Sequence, residues 1–437
     1  MTEAKLINLT DKSSWGYLTF KKRLPQYVGD VIRDGAQHLP PLAIENLQKL
    51  KEEIENAGVI KPIQASSEEE RTACEDVEEW KEYMREHEGK RWDELPFYWL
   101  EAYYYRRMLQ ESQYFLNKYD VFSRTKLDGI TESLHVMKSI ALALVDILQR
   151  AQSDASVVEE AVELFVLRSL WGNKADLSLF SVSEDPLALV HQKLSKGDSA
   201  ADEAGAAEEM KYLLVDESPQ VLRHLLQLRD AKERKRVDII LDNSGLELFS
   251  DLCFAHALTE LLGAEVHLHT KRDPMFVSDA MPKDIYQLID ALEEAAKNSD
   301  ETRAADLAGM AQKWRHFIEA GQWKLRPHRF WNSALFFDRL EAKFPDLYHD
   351  LHQSRMAFVK GDANYRRLVG DYYYPHTTSF VSLASYFPTH VVALRVLKSE
   401  VAVGMAPGQA EAVAKKDAQW LVDGKWATIH YAPGRGQ

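Results

Sequence analysis

Four places in the second half of this 437-residue chain set polar side chains directly at or after short apolar runs. Asp242-Asn243-Ser244-Gly245 follows Val237–Leu241 (VDIIL), and Lys360-Gly361-Asp362-Ala363-Asn364 closes the run that begins at Met356 (MAFVK). Arg395-Val396-Leu397-Lys398 ends Val391–Lys398 (VVALRVLK), and Phe276-Val277-Ser278-Asp279 comes after Glu265–Lys271 (EVHLHTK). The side-chain oxygens of Asp242 and Asn243, with Asp279 as a third donor, form an all-oxygen set suited to Mg²⁺ or Mn²⁺. Such an ion neutralises charge on a phosphoryl group and activates a water. Gly245 and Gly361 allow close backbone approach by a ligand. A helix opening near Leu246 would aim backbone N–H groups at an anion, and Lys398 offers a point charge for phosphate.

Each feature also has a structural reading. Ser244-Gly-Leu-Glu247 matches a capping box, with Ser244 at the N-cap and Glu247 three residues on. Asp242 at a run's end is ordinary turn chemistry. Asp279 before Pro282 and Asp362 before Tyr365-Arg366-Arg367 can each cap the helix that follows. Lys398 can be a solvated terminal lysine. The aromatic cluster Tyr103-Tyr104-Tyr105-Arg106-Arg107 fits interface packing between domains. Phe330-Trp331-Asn332 fits either core or pocket lining. The joint occurrence of these residues at the ends of several strands favours the functional reading.

Strands and helices must position these residues. Residues 1–170 carry helical periodicity: Ile44–Ile54, Asp76–His87, Phe97–Gln110, Glu132–Arg150 and Val157–Leu170, with no convincing strand before Lys174. Ser195–Glu209 is small, acidic and of low complexity, and reads as an exposed mobile loop. A helix opens at Ser218-Pro219 and runs to Leu228. From Arg236 on, the four runs alternate with helices at Leu246–Leu262 and Ile285–Lys297, and Trp426–Tyr431 reads as a final edge strand. Strands alternating with helices predict an α/β fold, a doubly wound α/β/α sandwich with a mainly parallel sheet. The expected organisation is an N-terminal helical domain at 1–194, a mobile acidic loop at 195–211 and a Rossmann-like domain at 212–437. Ligands of such sheets bind beyond the carboxyl ends of the strands.

Composition narrows the partners. The net charge of −14 is spread along the chain, which argues against nucleic acid and anionic membranes. A small anionic substrate needs a locally basic or cation-holding pocket. Two cysteines, Cys74 and Cys253, exclude a zinc ribbon or disulfide framework and suit a reducing compartment. Met1–Ser14 lacks the apolar region of a signal peptide, and no apolar run reaches the roughly 18 residues of a membrane span. The expected location is the cytoplasm, with the nucleus also open.

Several long motifs occur in a distinctive order: Gly16-Tyr-Leu-Thr19, Trp171-Gly-Asn173-Lys-Ala-Asp176, Asp242-Asn-Ser-Gly-Leu-Glu247, Phe276-Val-Ser-Asp279, Lys360-Gly-Asp-Ala-Asn-Tyr-Arg366 and Gly404-Met-Ala-Pro407-Gly-Gln. Together they resemble the damage-control phosphatase family, in particular its third subfamily of acidic-residue methyltransferase-like proteins, over almost the full length. The resemblance implies a helical domain joined to a Rossmann-like domain. It implies a metal-dependent phosphatase acting on sugar phosphates such as fructose 1-phosphate and fructose 6-phosphate with Mn²⁺, Co²⁺ or Ni²⁺. It implies that Asp242, Asn243 and Asp279 hold the metal and that Lys360, Gly361, Asp362, Ala363, Asn364, Arg395 and Lys398 serve the substrate. Glu247 and Asp279 match positions linked to S-adenosylmethionine. Asn173 and Asp176 are expected to close over the site from the helical domain, with a structural turn as the alternative. One departure stands out: the subfamily's Arg-Thr-x-Lys is here Arg395-Val396-Leu397-Lys398, without the hydroxyl. Two other classes remain, a carboxyl methyltransferase using S-adenosylmethionine and a non-catalytic sugar-phosphate sensor. Against the first, the turn after the first strand carries a single Gly rather than a Gly-rich loop.

Overall fold

The computed structural model describes residues 4–172, 210–232, 235–298 and 303–435. Asn173, Asp176 and most of the acidic stretch lie outside them. The centre is a seven-stranded sheet with the order β2-β9-β8-β6-β3-β4-β5. Its strands are β2 (Leu213–Asp216), β3 (Arg236–Ile240), β4 (Glu265–Thr270), β5 (Trp323–Pro327), β6 (Met356–Lys360), β8 (His390–Val396) and β9 (Ala427–Ala432). Strands β5, β4, β3, β6 and β8 are mutually parallel, while β9 runs antiparallel to β8 and carries β2 parallel to itself. A two-residue strand, β1 (Lys5–Leu6), pairs with β7 (Tyr372–Tyr373) away from this sheet, which corrects the expectation of no strand so early in the chain.

Side-chain alternation along the strands builds two cores. Val237 and Ile239 of β3, with Met356 and Phe358 of β6, pack under helices Ser123–Ser153, Val158–Trp171 and Leu246–Leu262. Ile240, Ala357 and Val359 face the other way, into a second core shared with helices Pro345–His352, Asp362–Val369 and Phe380–Ala384 and with the N-terminal helices Leu24–Gly35, Pro41–Glu55 and Phe97–Glu111. Both faces are thus buried, and the central strands read as continuous apolar runs, as parallel strands must. The helix Leu246–Leu262 is buried along nearly its whole length because helices of the 123–171 region cover its outer side. The architecture is the doubly wound α/β/α sandwich expected from the sequence.

The chain lays β4 and β5 to one side of β3, then crosses to lay β6 and β8 on the other. The crevice between the carboxyl ends of β3 and β6 is therefore the topological switch point, where such sheets bind ligands. Asp242 follows β3 there and Asp362 follows β6. Strand β9 is internal rather than an edge, since β2 covers its outer side; the sheet edges are β2 and β5.

Candidate active site

A cleft of about 450 Å³ opens at this switch point. Asp242, Asn243, Phe276, Val277, Ser278, Asp279, Asp362, Ala363 and Lys398 line its sheet side. Trp15, Thr19, Arg23, Tyr27, Glu101 and Tyr105 line it from the N-terminal helices.

Asp242 and Asp279 come together through main-chain pairing. Asn243 bridges Asp279 in antiparallel fashion, and the Ala280 N–H donates to the Asp242 carbonyl at 2.7 Å. Both carboxylates are buried. Burial, with the neighbouring charges of Asp279 and Glu247, pushes the Asp242 carboxyl well above the usual carboxylate range. Burial also raises Asp279, although Lys271 at 2.9 Å opposes the shift. Carboxylates crowded in a buried rim are short of positive charge, which is the electrostatic condition a divalent cation meets.

The carboxamide of Asn243 is held from three sides. Its Nδ2 donates to Asp242 at 2.9 Å and to Glu247 at 2.8 Å, while its Oδ1 accepts from the Ser278 hydroxyl at 2.5 Å. Glu247 is itself buried and lies 3.6 Å from the Lys360 ammonium. Lys360 donates to the Ser169 carbonyl and sits 3.2 Å from Asp251. Burial lowers the Lys360 ammonium, but Asp251 and Glu247 outweigh it and leave the group raised. The Asp251 carboxyl, raised by burial against the pull of Lys360, stands at about 7. The expected capping box does not form: Gly245, not Ser244, is the N-cap of Leu246–Leu262, and Glu247 faces Asn243 instead.

The β6 end supplies the second arm. Gly361 sits at φ +82°, and an added Cβ would overlap the Asp242 carboxylate, so only glycine fits. Asp362 accepts from Arg395 Nε at 2.7 Å, from the Lys398 N–H at 3.1 Å and from the Ser399 hydroxyl at 3.1 Å. Burial pushes its carboxyl up, and Arg395 and Arg366 hold it below the usual range. Arg366 in turn joins Glu101 at 2.6 Å and Asp371 at 2.8 Å. Opposite this arm, Phe276 and Val277 sit at φ 49° and 66°, a conformation costly for a β-branched residue and a mark of functional strain.

The expected substrate residues therefore divide. Asp242, Asn243, Asp279, Asp362, Ala363 and Lys398 line the cleft. Lys360, Glu247, Asn364 and Arg395 are buried behind it, Asn364 donating to the carbonyls of Leu241 and Lys360. Of the aromatic clusters, Tyr105 reaches the cleft and packs on Phe276 at 5.0 Å, while Phe330 and Trp331 are core. Sequence reasoning missed Lys271, Asp251, Ser169 and Glu101. Lys271 alone carried a signal, a lysine closing the EVHLHTK run.

A second group can offer one metal-ligating atom each from Asp238, His269 and Asp350, all within 4.8 Å of one another. The Arg236 guanidinium already spans its two carboxylates, at 2.7 Å from each. Burial raises Asp238, but His269 and Arg236 outweigh it and hold the carboxyl at about 2. The positive charge this group needs is therefore present without an ion.

A doubly wound α/β sandwich with a carboxylate-rich cleft at its switch point defines the class. Residues 19–413 match the damage-control phosphatase ARMT1-like domain, and the chain belongs to that family. It is 29% identical to the damage-control phosphatase ARMT1 of Danio rerio over 462 aligned positions, covering 98% of this chain and 96% of the relative. With the Homo sapiens protein of the same name it shares 28% identity, covering 96% and 97%. A DUF89 family protein from Pyrococcus horikoshii aligns at TM-score 0.41 and 15% identity over 97% of this chain and 98% of that one. Among the described residues no helix is long and apolar enough to cross a membrane.

Proposed function

We propose that this protein is a divalent-metal-dependent phosphatase of sugar phosphates such as fructose 1-phosphate and fructose 6-phosphate, and that Asp242, Asn243 and Asp279 hold the ion. The observation that carries the reading is the crowding of two buried carboxylates and an oriented carboxamide on one rim of the switch-point cleft. An oxygen-donor set of this kind suits Mn²⁺ or Mg²⁺, and the resemblance to the damage-control phosphatases adds Co²⁺ and Ni²⁺. When bound, the ion supplies charge neutralisation at the phosphoryl group.

The chain's own residues do the rest. Ser278, donating to the Asn243 amide oxygen, and Glu247, accepting from its nitrogen, fix the orientation of that carboxamide beside Asp242. Lys360 balances Glu247 and Asp251 from behind, as a positioning residue rather than a substrate contact. Lys398 lines the cleft beside Asp242 and offers its ammonium to the remaining phosphoryl oxygens. Asp362 holds the Lys398 backbone and Arg395, which sets the lysine's approach. Catalysis of phosphoryl transfer by positioning and charge is what such an arrangement can do.

Replacing Asp242 with Ala tests this. The variant should lose metal-dependent phosphate release from fructose 1-phosphate; an unchanged rate would refute the assignment. The methyltransferase reading gains nothing from Glu247, whose carboxylate is engaged by Asn243 and sits behind the cleft rather than on its wall.

A further inference from the structure

The wall of the cleft contributed by the N-terminal helices is built on an irregular helix. Between helices Trp15–Leu18 and Leu24–Gly35, residues Thr19–Arg23 form a single π-helical turn, closed by the Leu24 N–H donating to the Thr19 carbonyl. Such turns are rare and concentrate at functional sites. This one has Thr19 and Arg23 on the cleft, with Trp15 before it and Tyr27 after it. Across the cleft stands the second backbone irregularity, Phe276-Val277.

The charges of the cleft single out Arg23. Its lining carboxylates are largely accounted for: Asp279 by Lys271, Asp362 by Arg395, Glu101 by Arg366 and Asp423 by Lys425. Arg366 is consumed by Glu101 and Asp371. Among the described residues, Arg23 and Lys398 are the lining cations with no carboxylate at ion-pair distance. Lys398 stands close enough to Asp242 to oppose in part the rise of its carboxyl, and serves the metal end. Arg23 is exposed on the helical wall, its guanidinium 5.9 Å from the Tyr27 ring. In a chain of net charge −14, an unpaired guanidinium facing a cleft is a site for an anion. Its planar fork matches carboxylate and phosphate oxygens. Trp15 and Tyr27 give the same wall aromatic surface against which a sugar's carbon skeleton can lie.

We infer that this π-turn wall is the specificity element of the cleft, and that Arg23 selects phosphomonoesters whose far end carries a second anionic group, phosphate or carboxylate. The inference rests on the phosphatase reading for which end of the ligand lies at Asp242. Arg23 acts on binding of the end that does not react.

The test compares wild type with Arg23→Ala and Arg23→Lys in Mn²⁺-supplemented buffer. Fructose 1,6-bisphosphate is set against fructose 1-phosphate, and 6-phosphogluconate against glucose 6-phosphate. Arg23→Ala should lower the kcat/KM ratio of at least one pair by about tenfold, the effect of losing one charge-assisted hydrogen bond, and chiefly through KM. Arg23→Lys, which keeps the charge and loses the fork, should fall between. The pair that responds tells phosphate from carboxylate. Unchanged ratios in both pairs, or a parallel fall for all four esters, would overturn the inference. Turnover of fructose 1-phosphate by the wild type reports separately on the phosphatase reading. If no ester is turned over, calorimetric titration with the same four compounds decides the matter, and an equal affinity of wild type and Arg23→Ala for each would sink it.

Discussion

Lys360→Met is the most informative single change away from the rim itself. The ammonium is buried, with Asp251 at 3.2 Å, Glu247 at 3.6 Å and the Ser169 carbonyl as its partners. Methionine keeps the volume and removes the charge, so two buried carboxylates lose their common cation. Breaking a buried pair by removing one partner costs about 3–5 kcal/mol. Protonation softens that cost. Asp251 already titrates at about 7, raised by burial above the 3.8 of an ordinary aspartate. A raised folded-state value means its proton stabilises the native state at low pH and that this contribution is lost as pH rises through about 7. Without Lys360 the carboxyl moves higher still. The variant's deficit should therefore be near the full 3–5 kcal/mol at about pH 8 and clearly smaller at about pH 5. Urea unfolding of both proteins at the two pH values measures it. The same variant should bind Mn²⁺ about 10–100-fold more weakly, because Glu247 no longer holds Asn243 in place. A deficit below about 1 kcal/mol, or one equal at both pH values, would refute the reasoning.

Other consequences follow from the same geometry. Gly361→Ala should abolish phosphate release, since a methyl group there overlaps the Asp242 carboxylate and φ +82° strains any other residue; a normal kcat in the assay would contradict it. Ser278→Ala removes the donor to Asn243 Oδ1 and should weaken Mn²⁺ binding by roughly tenfold in a calorimetric titration, leaving the unfolding midpoint nearly unchanged. Arg395→Met strips Asp362 of the guanidinium that holds its carboxyl low. A depressed carboxyl contributes stability above its ordinary range that fades as pH falls, so this variant should lose more stability near pH 7 than near pH 3 relative to wild type, as unfolding curves at the two values will show.

How far this was legible from sequence follows from burial and distance along the chain. Strands β3, β6 and β8 stood out because their runs are largely apolar, and β4 because Val266, Leu268 and Thr270 alternate with polar Glu265, His267 and His269. Strand β5, Trp323-Lys-Leu-Arg-Pro327, is a half-polar edge ending in proline, and β2 is four residues long; neither differs from a loop in local pattern. Trp426–Tyr431 was visible as a strand, but its inward position depends on β2, more than 200 positions away. At the site, Asp242, Asn243 and Asp279 could be picked out because strand ends and glycines mark themselves. The partners of Lys360 could not: Ser169 lies 191 residues from it, and Asp251 sits in a helix whose every face is apolar in context. The π-turn at Thr19–Arg23 and the positive φ of Val277 are set by tertiary packing and leave no trace in residue type.

The claim on which the rest depends is that Asp242, Asn243 and Asp279 share one divalent cation. Calorimetric titration of Mn²⁺ into wild type, Asp242→Ala, Asp279→Ala and Asp350→Ala tests it directly. One ion per chain should bind to the wild type and to Asp350→Ala, and binding should vanish in both rim variants. Retention in Asp242→Ala with loss in Asp350→Ala would instead move the ion to the Asp238–His269–Asp350 group and contradict the account.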